Sequence, residues 1–176
     1  MRGPAHRLVA AGLVNHGKVL LAQRKLADAA RQCRAAWAIY EQTTGLDTRP
    51  GVACVEVLGR VRAAQGQTAE AEALLRRALE ARRALTGLMH PAVADVLTAL
   101  AQLNFDCGRC RQADSLCRAA LEVYESKLSP NAGRKLAPAL RCAAAAARAL
   151  GDPERAEALA ARLRTLESPS GGSPAP

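Results

Sequence analysis

Aromatic side chains are almost absent from this chain. Of its 176 residues, only Trp37, Tyr40, Phe105 and Tyr124 carry aromatic rings. Hydrophobic residues make up 49% of the sequence, which is enough for a buried core, but that core must consist mainly of Ala, Leu and Val. Because such small side chains each remove little apolar surface from water, at roughly 25 cal/mol per Å², we expect modest stability.

Two further absences narrow the class of partner. No apolar run approaches the length of about 18 residues that a membrane span requires, so no membrane partner is expected. The net charge is +9, yet the cations form no dense run, and the aromatic platforms on which bases stack are missing. Nucleic acid is therefore not expected as a partner either.

The six cysteines lie mostly within apolar helical patterns rather than in a loop-rich framework. This favours reduced, buried thiols in a cytoplasmic protein. Cys107 and Cys110 form the motif "CGRC", with Cys117 seven residues later, but no second CxxC or pair of histidines completes a zinc ligand set. We expect these thiols to be packing residues and predict no metal and no cofactor. A redox or metal role for this motif is the alternative.

Catalytic arrangements are not evident in the sequence. The three histidines are spread through the chain at His6, His16 and His90. No Ser-His-Asp spacing and no Gly-rich phosphate loop accompanies them. We therefore predict that the protein is not an enzyme.

The main feature of the sequence is a repeat of 42 residues. The segment "RALEARRALTG" from Arg77 has counterparts in "RAAWAIYEQTTG" from Arg34 and "RAALEVYESKLS" from Arg118. Aligned on a small residue, successive units are 42, 42 and 43 residues apart, and a glycine stands five residues before that residue in the last three units. The aligned residues are Ala29, Ala71, Ala113 and Ala156, and the glycines are Gly66, Gly108 and Gly151. Self-similarity at such a period is typical of a solenoid of stacked helical units.

Each unit has the pattern of two helices joined by a short turn. In the third unit, apolar residues recur at helical spacing from Val93 to Leu103, and the pattern breaks near Gly108. Pro91 suits the first turn of that helix, and glycine tolerates the positive φ at which a helix can end. The sequence therefore predicts an all-α fold.

These residues resemble the tetratricopeptide repeat (TPR), in the 42-residue variety of kinesin light chains. The segment "AAQGQTAEAEALLRRALEARRALTGLMHPAVADVL" carries most of the likeness, which covers residues 6–167, and Arg24 stands where a glycine is expected. The resemblance implies a right-handed superhelical solenoid of antiparallel helix pairs, with about four repeats. We expect the repeats at 6–48, 49–89, 90–133 and 134–167, the last with a capping helix, and a disordered tail at 168–176.

The resemblance also implies a concave groove, lined by the first helix of each pair, that binds a peptide or a partner helix. The expected groove residues are Lys18, Arg60, Gln102, Phe105, Arg141 and Arg148. Their cations suit an acidic segment through charge-assisted hydrogen bonds. The alternative is that they are ordinary solvated arginines. The expected function is a scaffold for protein–protein interaction.

The first unit suggests a second function. Leu8, Val9 and Leu13 begin the repeat pattern without a polar cap. The chain could accordingly be an accessory or C-terminal segment of a larger multidomain protein or enzyme, acting through this N-terminal face. Self-association through the same face is the other possibility. By contrast, the last helix, from Asp152, carries the polar outer surface of a closing cap.

Overall fold

The computed structural model describes residues 4–126 and 133–167, and all the regular secondary structure in those ranges is helical. Eight helices follow one another there: α1 (Pro4–Ala22), α2 (Leu26–Glu41), α3 (Arg49–Ala64), α4 (Thr68–Thr86), α5 (Pro91–Asp106), α6 (Cys110–Ser126), α7 (Gly133–Ala149) and α8 (Pro153–Glu167). The predicted tail at 168–176 lies outside the described residues. No described helix is long and apolar enough to cross a membrane.

The chain divides into two compact units, Met1–Leu88 and Met89–Pro176. In the first unit, α1 pairs with α2 and α3 pairs with α4, while α3 also contacts both α1 and α2. The second unit has the same organisation, because α7 pairs with α8 and contacts both α5 and α6. Within each unit, two helical hairpins are therefore stacked with their first helices side by side.

Glycine ends three of the first helices, as the spacing predicted. Gly66, Gly108 and Gly151 adopt φ values of 77°, 74° and 79°, a left-handed conformation that glycine reaches without a steric cost. At each turn, the residue after the glycine donates its backbone N–H to the helix, for example Gln67 to the carbonyl of Arg62 at 2.9 Å. These bonds satisfy carbonyls that the helix end would otherwise leave without partners.

Side chains of the preceding residues cap the N-termini of α3, α5 and α8. The Thr48 hydroxyl accepts a hydrogen bond from the Gly51 N–H at the start of α3, and His90 Nδ1 accepts one from the Ala92 N–H at the start of α5. At α8, the Asp152 carboxylate accepts a hydrogen bond from the Arg155 N–H at 3.1 Å, so Asp152 caps the N-terminus of that helix. Each such bond fixes where the chain turns into a helix.

Close contact between helices depends on glycine at one position of the repeat. A Cβ on Gly17 of α1 would lie 2.7 Å from the Cys33 sulfur of α2, and a Cβ on Gly59 of α3 would lie 2.9 Å from Leu75 Cγ of α4. These distances are far below van der Waals contact, so the two glycines, 42 residues apart, set how closely each hairpin closes.

Four of the six thiols pack in the core as predicted. Burial raises the pKa of Cys33 to about 11 and that of Cys54 to about 12, so both remain protonated at neutral pH. Cys54 donates to the Cys33 carbonyl at 3.3 Å, joining α3 to α2. In the second unit, Cys117 and Cys142 are also buried and hydrogen-bond to each other, joining α6 to α7.

The expectation that the "CGRC" thiols pack in the core is wrong. Cys107 is exposed and Cys110 is half-buried, because they lie at the turn between α5 and α6 rather than on the apolar stripe of either helix. Cys110 lines an open pocket of about 450 Å³ with Arg109, Arg111 and Leu150. The apolar pattern of the sequence does not extend through the turn.

A buried carboxylate joins the hairpins of the second unit. Asp114 on α6 is 5% exposed and accepts hydrogen bonds from Arg155 of α8 at 2.7 Å and from Arg118 at 2.8 Å. Burial alone would raise its pKa, but the hydrogen bonds and charges of the two guanidinium groups outweigh burial, and the pKa lies below its usual value. Asp114 is therefore ionised at neutral pH and fixes the last helix.

Arg24 occupies the turn position that glycine holds in the other hairpins. Its φ is 61°, and it is the one non-glycine residue with positive φ among those described. A side chain in this conformation brings its Cβ close to the backbone, at a cost of roughly 1–2 kcal/mol. The first hairpin therefore contains local strain that the other three avoid.

We expect Arg24→Gly to stabilise the protein by about 0.5–1 kcal/mol, since relief of this strain exceeds the greater flexibility that glycine adds to the unfolded chain. The free energy of unfolding in urea measures the effect. Gly66→Ala is the matched control at the equivalent turn and should be destabilising. A destabilised Arg24→Gly variant would show that the Arg24 side chain has a structural role.

Candidate functional site

Each unit has a candidate site on one face of its first helices, and we call this surface the first-helix face of that unit. It consists of three positions on each first helix, spaced four and three residues apart. In the first unit these are Val14, Lys18 and Leu21 on α1 and Glu56, Arg60 and Ala63 on α3. In the second unit they are Thr98, Gln102 and Phe105 on α5 and Arg141, Ala145 and Arg148 on α7.

The predicted site residues differ in how much of each is accessible. Lys18, Gln102, Arg141 and Arg148 are exposed, whereas Arg60 and Phe105 are half-buried. Val14, at the first of the three positions on α1, is only 4% exposed and belongs to the core. Because α1 contacts α3 and α5 contacts α7, Lys18 and Arg60 lie on neighbouring helices in the first unit, as do Gln102 and Arg141 in the second.

In the first unit, one carboxylate lies between two guanidinium groups. Glu56 forms an ion pair with Arg60 at 3.0 Å and a second with Arg82 of α4 at 3.4 Å. Arg82 also donates to the carbonyl of Arg49 at 3.5 Å. Both contacts of the Arg82 guanidinium are long, and its Nε has no hydrogen-bond partner among the described residues. The cluster has two positive charges and one negative charge.

Arg82 was not among the residues predicted from the sequence. It lies on a second helix, where an arginine is ordinarily solvated, yet it is only 7% exposed. The repeat offers a signal that could have identified it, since Arg82 lies 42 residues from both Tyr40 and Tyr124. All three are buried near the ends of second helices.

In the second unit, the equivalent contacts are balanced in charge. The hydroxyl of Tyr124 donates to Asp95 Oδ1 at 2.6 Å, and Lys135 Nζ of α7 lies 3.3 Å from Asp95 Oδ2. On the same helix as Asp95, Gln102 donates to the carboxylate of Asp106 at 2.7 Å. One lysine therefore faces one carboxylate here, in contrast to the first unit.

Arg141 and Arg148 of α7 are less constrained. Arg141 lies 3.7 Å from Glu167 at the end of α8, and its side chain is 62% exposed. Arg148 is exposed, and its charge contributes to the low pKa of Glu157, after the larger effect of Arg164. Both cations can reach solvent and are available to an incoming anionic group.

Tyr40 occupies the same position of the repeat as Arg82 and Tyr124, but in the part of the chain that the structure describes its hydroxyl lacks the carboxylate partner that their side chains have. It is 1% exposed, and its hydroxyl has no hydrogen-bond partner among the described residues. Its own first helix, α1, contains no acidic residue, so the carboxylate that Arg82 and Tyr124 each contact is missing. Burial, with a smaller effect of Cys54, raises the pKa of Tyr40 and keeps it neutral.

Across the described parts of both units, no group of three or more His, Cys, Asp or Glu side chains is placed to hold a metal ion. The chemistry that the first-helix face offers consists of guanidinium, ammonium and amide donors beside a few carboxylates. Such groups bind anions and hydrogen-bond acceptors through charge-assisted hydrogen bonds.

A comparison with family models matches residues 51–126 to the tetratricopeptide repeat family. Those residues span α3 to α6. No curated protein matches the sequence.

Solved structures resemble the whole chain. The crystal structure of BtubC (BKLC) from P. vanneervenii has a TM-score of 0.85 at 20% identity, over 100% of this chain and 70% of that one. A putative kinesin light chain from Podosopora anserina, with nearly identical TPR-like repeats, has a TM-score of 0.65 at 17% identity, over 98% and 100% of the two chains. A second crystal structure of those repeats gives 0.66 at 15% identity, over 95% and 98%. At these identities the likeness shows the fold, and it confirms an all-α solenoid of helix pairs.

The buried tyrosines of the two units provide a matched test of this site. Tyr124→Phe removes a hydrogen bond to an ionised carboxylate and should lower the free energy of unfolding by about 1–3 kcal/mol. Tyr40→Phe removes a buried hydroxyl that has no counterpart and should be neutral or stabilising by up to about 1 kcal/mol. Urea denaturation measures both. Equal losses in the two variants would mean that the Tyr40 hydroxyl has a hydrogen-bond partner in solution.

Proposed function

We propose that this chain, whose residues 51–126 match the tetratricopeptide repeat family, is a repeat protein of the kinesin-light-chain-like kind that binds an acidic peptide or helix of another protein at its first-helix face. Repeats of this family serve as scaffolds for protein–protein interaction. Our proposal adds to this general role that the partner segment is acidic. The role is non-catalytic, and the cytoplasm is its proposed location.

The charge imbalance of the first unit is the observation that carries this proposal. Arg60 and Arg82 share the single carboxylate of Glu56, and Lys18 occupies on α1 the repeat position that Arg60 occupies on α3. Lys18 therefore adds an exposed cation on the neighbouring helix. A buried guanidinium with long hydrogen bonds is poorly compensated, so a second carboxylate from a partner would be stabilised beside it.

Amide and aromatic side chains would complete the recognition. In the second unit, Gln102 and Phe105 offer an amide and an apolar surface, and Arg141 and Arg148 provide exposed cations. A partner segment in which acidic residues alternate with apolar ones would match these groups. Because several of the cations are exposed, binding should weaken as salt is added.

A charge-reversal experiment tests the proposal. The probe is a blocked, fluorescently labelled peptide of alternating Glu and Leu, and its anisotropy is measured at increasing protein concentration. Arg60→Glu combined with Arg148→Glu should weaken its binding at least tenfold, because two attractive contacts become repulsive. A Gln-for-Glu version of the peptide should bind weakly to every variant.

The chain offers a matched control. Arg34→Glu combined with Arg76→Glu makes the same change in net charge on exposed positions of the second helices. Arg76 also lies four residues from a glutamate with which it forms an ion pair, as Arg60 does. This control should retain nearly normal affinity. Equal losses of affinity in both double variants would mean that the binding is non-specific electrostatic attraction, which would contradict the proposal.

The alternative function, stacking on a larger helical assembly through α1, depends on a different surface. It predicts that charge reversal on the first-helix face leaves binding to the natural partner unchanged, whereas substitutions on the outer side of α1 abolish it. The same variants therefore separate the two functions.

A further inference from the structure

The two sides of α1 differ sharply in exposure. One side packs on α2 through buried residues that include Ala10, Val14 and Leu20. On the other side, Leu8, Val9 and Val19 are apolar yet 75%, 56% and 52% exposed. Large apolar side chains exposed together on one helix indicate a surface that another molecule covers.

The repeat shows what covers this side elsewhere in the chain. One repeat later, the positions of Gly12, Asn15 and Val19 are occupied on α3 by Cys54, Val57 and Val61, all buried in the core of the first unit. On α7 the equivalent residues are Ala139, Cys142 and Ala146, again buried. Cys54 contacts α2 and Cys142 contacts α6, so a helix covers this side in both internal cases.

Gly12 supplies an independent indication. A Cβ at Gly12 would meet nothing within 4 Å, so packing within the described chain does not require glycine there. Glycine inside a helix costs roughly 0.5–1 kcal/mol relative to alanine. At Gly17 and Gly59 the neighbouring side chains explain that cost, whereas at Gly12 the close approach of an external backbone would explain it.

The pattern on this side of α1 is symmetric. Leu8, Gly12, Asn15 and Val19, which we call the α1 seam, are spaced by four, three and four residues, and all four are exposed. That spacing alternates between the two core positions of a coiled coil. The spacing is the same when read in either direction along the helix. In an antiparallel pair, Leu8 of each copy therefore lies opposite Val19 of the other, and Gly12 of each copy lies opposite Asn15 of the other.

We propose that the α1 seam binds the α1 seam of a second copy of this chain, in an antiparallel two-fold arrangement. An isologous contact of this kind needs one self-complementary surface and closes after two subunits. The large residues pair at the two ends, and the small Gly12 allows the backbones to approach beside Asn15. A polar residue at a core position favours one register over others.

Charge is compatible with this arrangement. The helix has no acidic residue, and its cations include Arg7 and Lys18, so parallel pairing would bring identical cations together. Antiparallel pairing instead places Lys18 of one copy beside Val9 and Ala11 of the other. Like-charge contacts are thus avoided without any countercharge.

The contact is short, so the dimer should be weak. The seam spans eleven helical steps, about 17 Å along the axis, and its buried area falls below the roughly 1,200 Å² of stable interfaces. Association should therefore depend on concentration, with a Kd on the order of 10⁻⁴ M.

Analytical ultracentrifugation of the full chain tests the proposal, with concentrations up to about 1 mM to populate a weak dimer. The wild-type mass should rise from monomer towards dimer. Val19→Glu should weaken association at least tenfold, with an unchanged circular dichroism spectrum. Leu88→Glu is the matched control, because Leu88 is 64% exposed but lies outside α1, and it should dimerise normally. A chain that stays monomeric, or a Val19→Glu variant that dimerises like the wild type, would overturn the proposal.

Cysteine cross-linking tests the orientation. In a background with Cys107→Ser and Cys110→Ser, a mixture of the Leu8→Cys and Val19→Cys variants should form a disulfide-linked heterodimer on mild oxidation. Each variant alone should cross-link at least tenfold less. Efficient cross-linking of either variant with itself would exclude the antiparallel register. Neither experiment depends on peptide binding at the first-helix face.

Discussion

Close approach of helices at small side chains is the constraint on which the rest of this structure depends. The chain has few aromatic residues and many alanines, so close packing of the helix backbones contributes much of the buried contact. Gly17 and Gly59 meet their paired helices where even a methyl group would overlap a neighbour. Alanines at one position of the repeat, Ala29, Ala71 and Ala113, are fully buried. The 42-residue period places the two glycine contacts at equivalent positions of the two hairpins of the first unit.

Once the hairpins pack in this way, one face of each first helix is left for polar residues, and its charge decides what it can bind. The two units use this face differently. In the first, a carboxylate is shared by two arginines, whereas in the second a lysine and a tyrosine share one aspartate. The excess of cations in the first unit is a consequence of Arg82, which stands where the first and third repeats have tyrosine.

The sequence predicted the helices and their ends well, because these depend on local chemistry. Glycine at Gly66, Gly108 and Gly151 and proline at Pro91 mark the turns through backbone geometry that changes little with tertiary context. The replacement of glycine by Arg24 at the first turn is also visible in the sequence, since the repeat requires a residue with a left-handed backbone conformation at that position. Its positive φ shows that the fold imposes the turn on an unfavourable residue.

The candidate site could be predicted only in part. The resemblance to the repeat family implied which positions of the first helices belong to this face, and Lys18, Gln102 and Arg148 are exposed there. Burial of Arg82 depends on Glu56, which lies on another helix, and no local pattern reports such a pairing. Likewise, the "CGRC" cysteines are expected to be packing residues because no metal-ligand spacing accompanies them, yet their position at a turn leaves Cys107 exposed.

The free energy of unfolding of Gly59→Ala, compared with that of Gly12→Ala, tests the central role of close helix packing most directly. Both substitutions improve helix propensity by up to about 1 kcal/mol. At Gly59 the new methyl group would lie 2.9 Å from Leu75 Cγ, and overpacking of this kind costs about 1–3 kcal/mol. We expect Gly59→Ala to be destabilised and Gly12→Ala, measured as the monomer, to be stabilised. A Gly59→Ala variant as stable as Gly12→Ala would contradict the account.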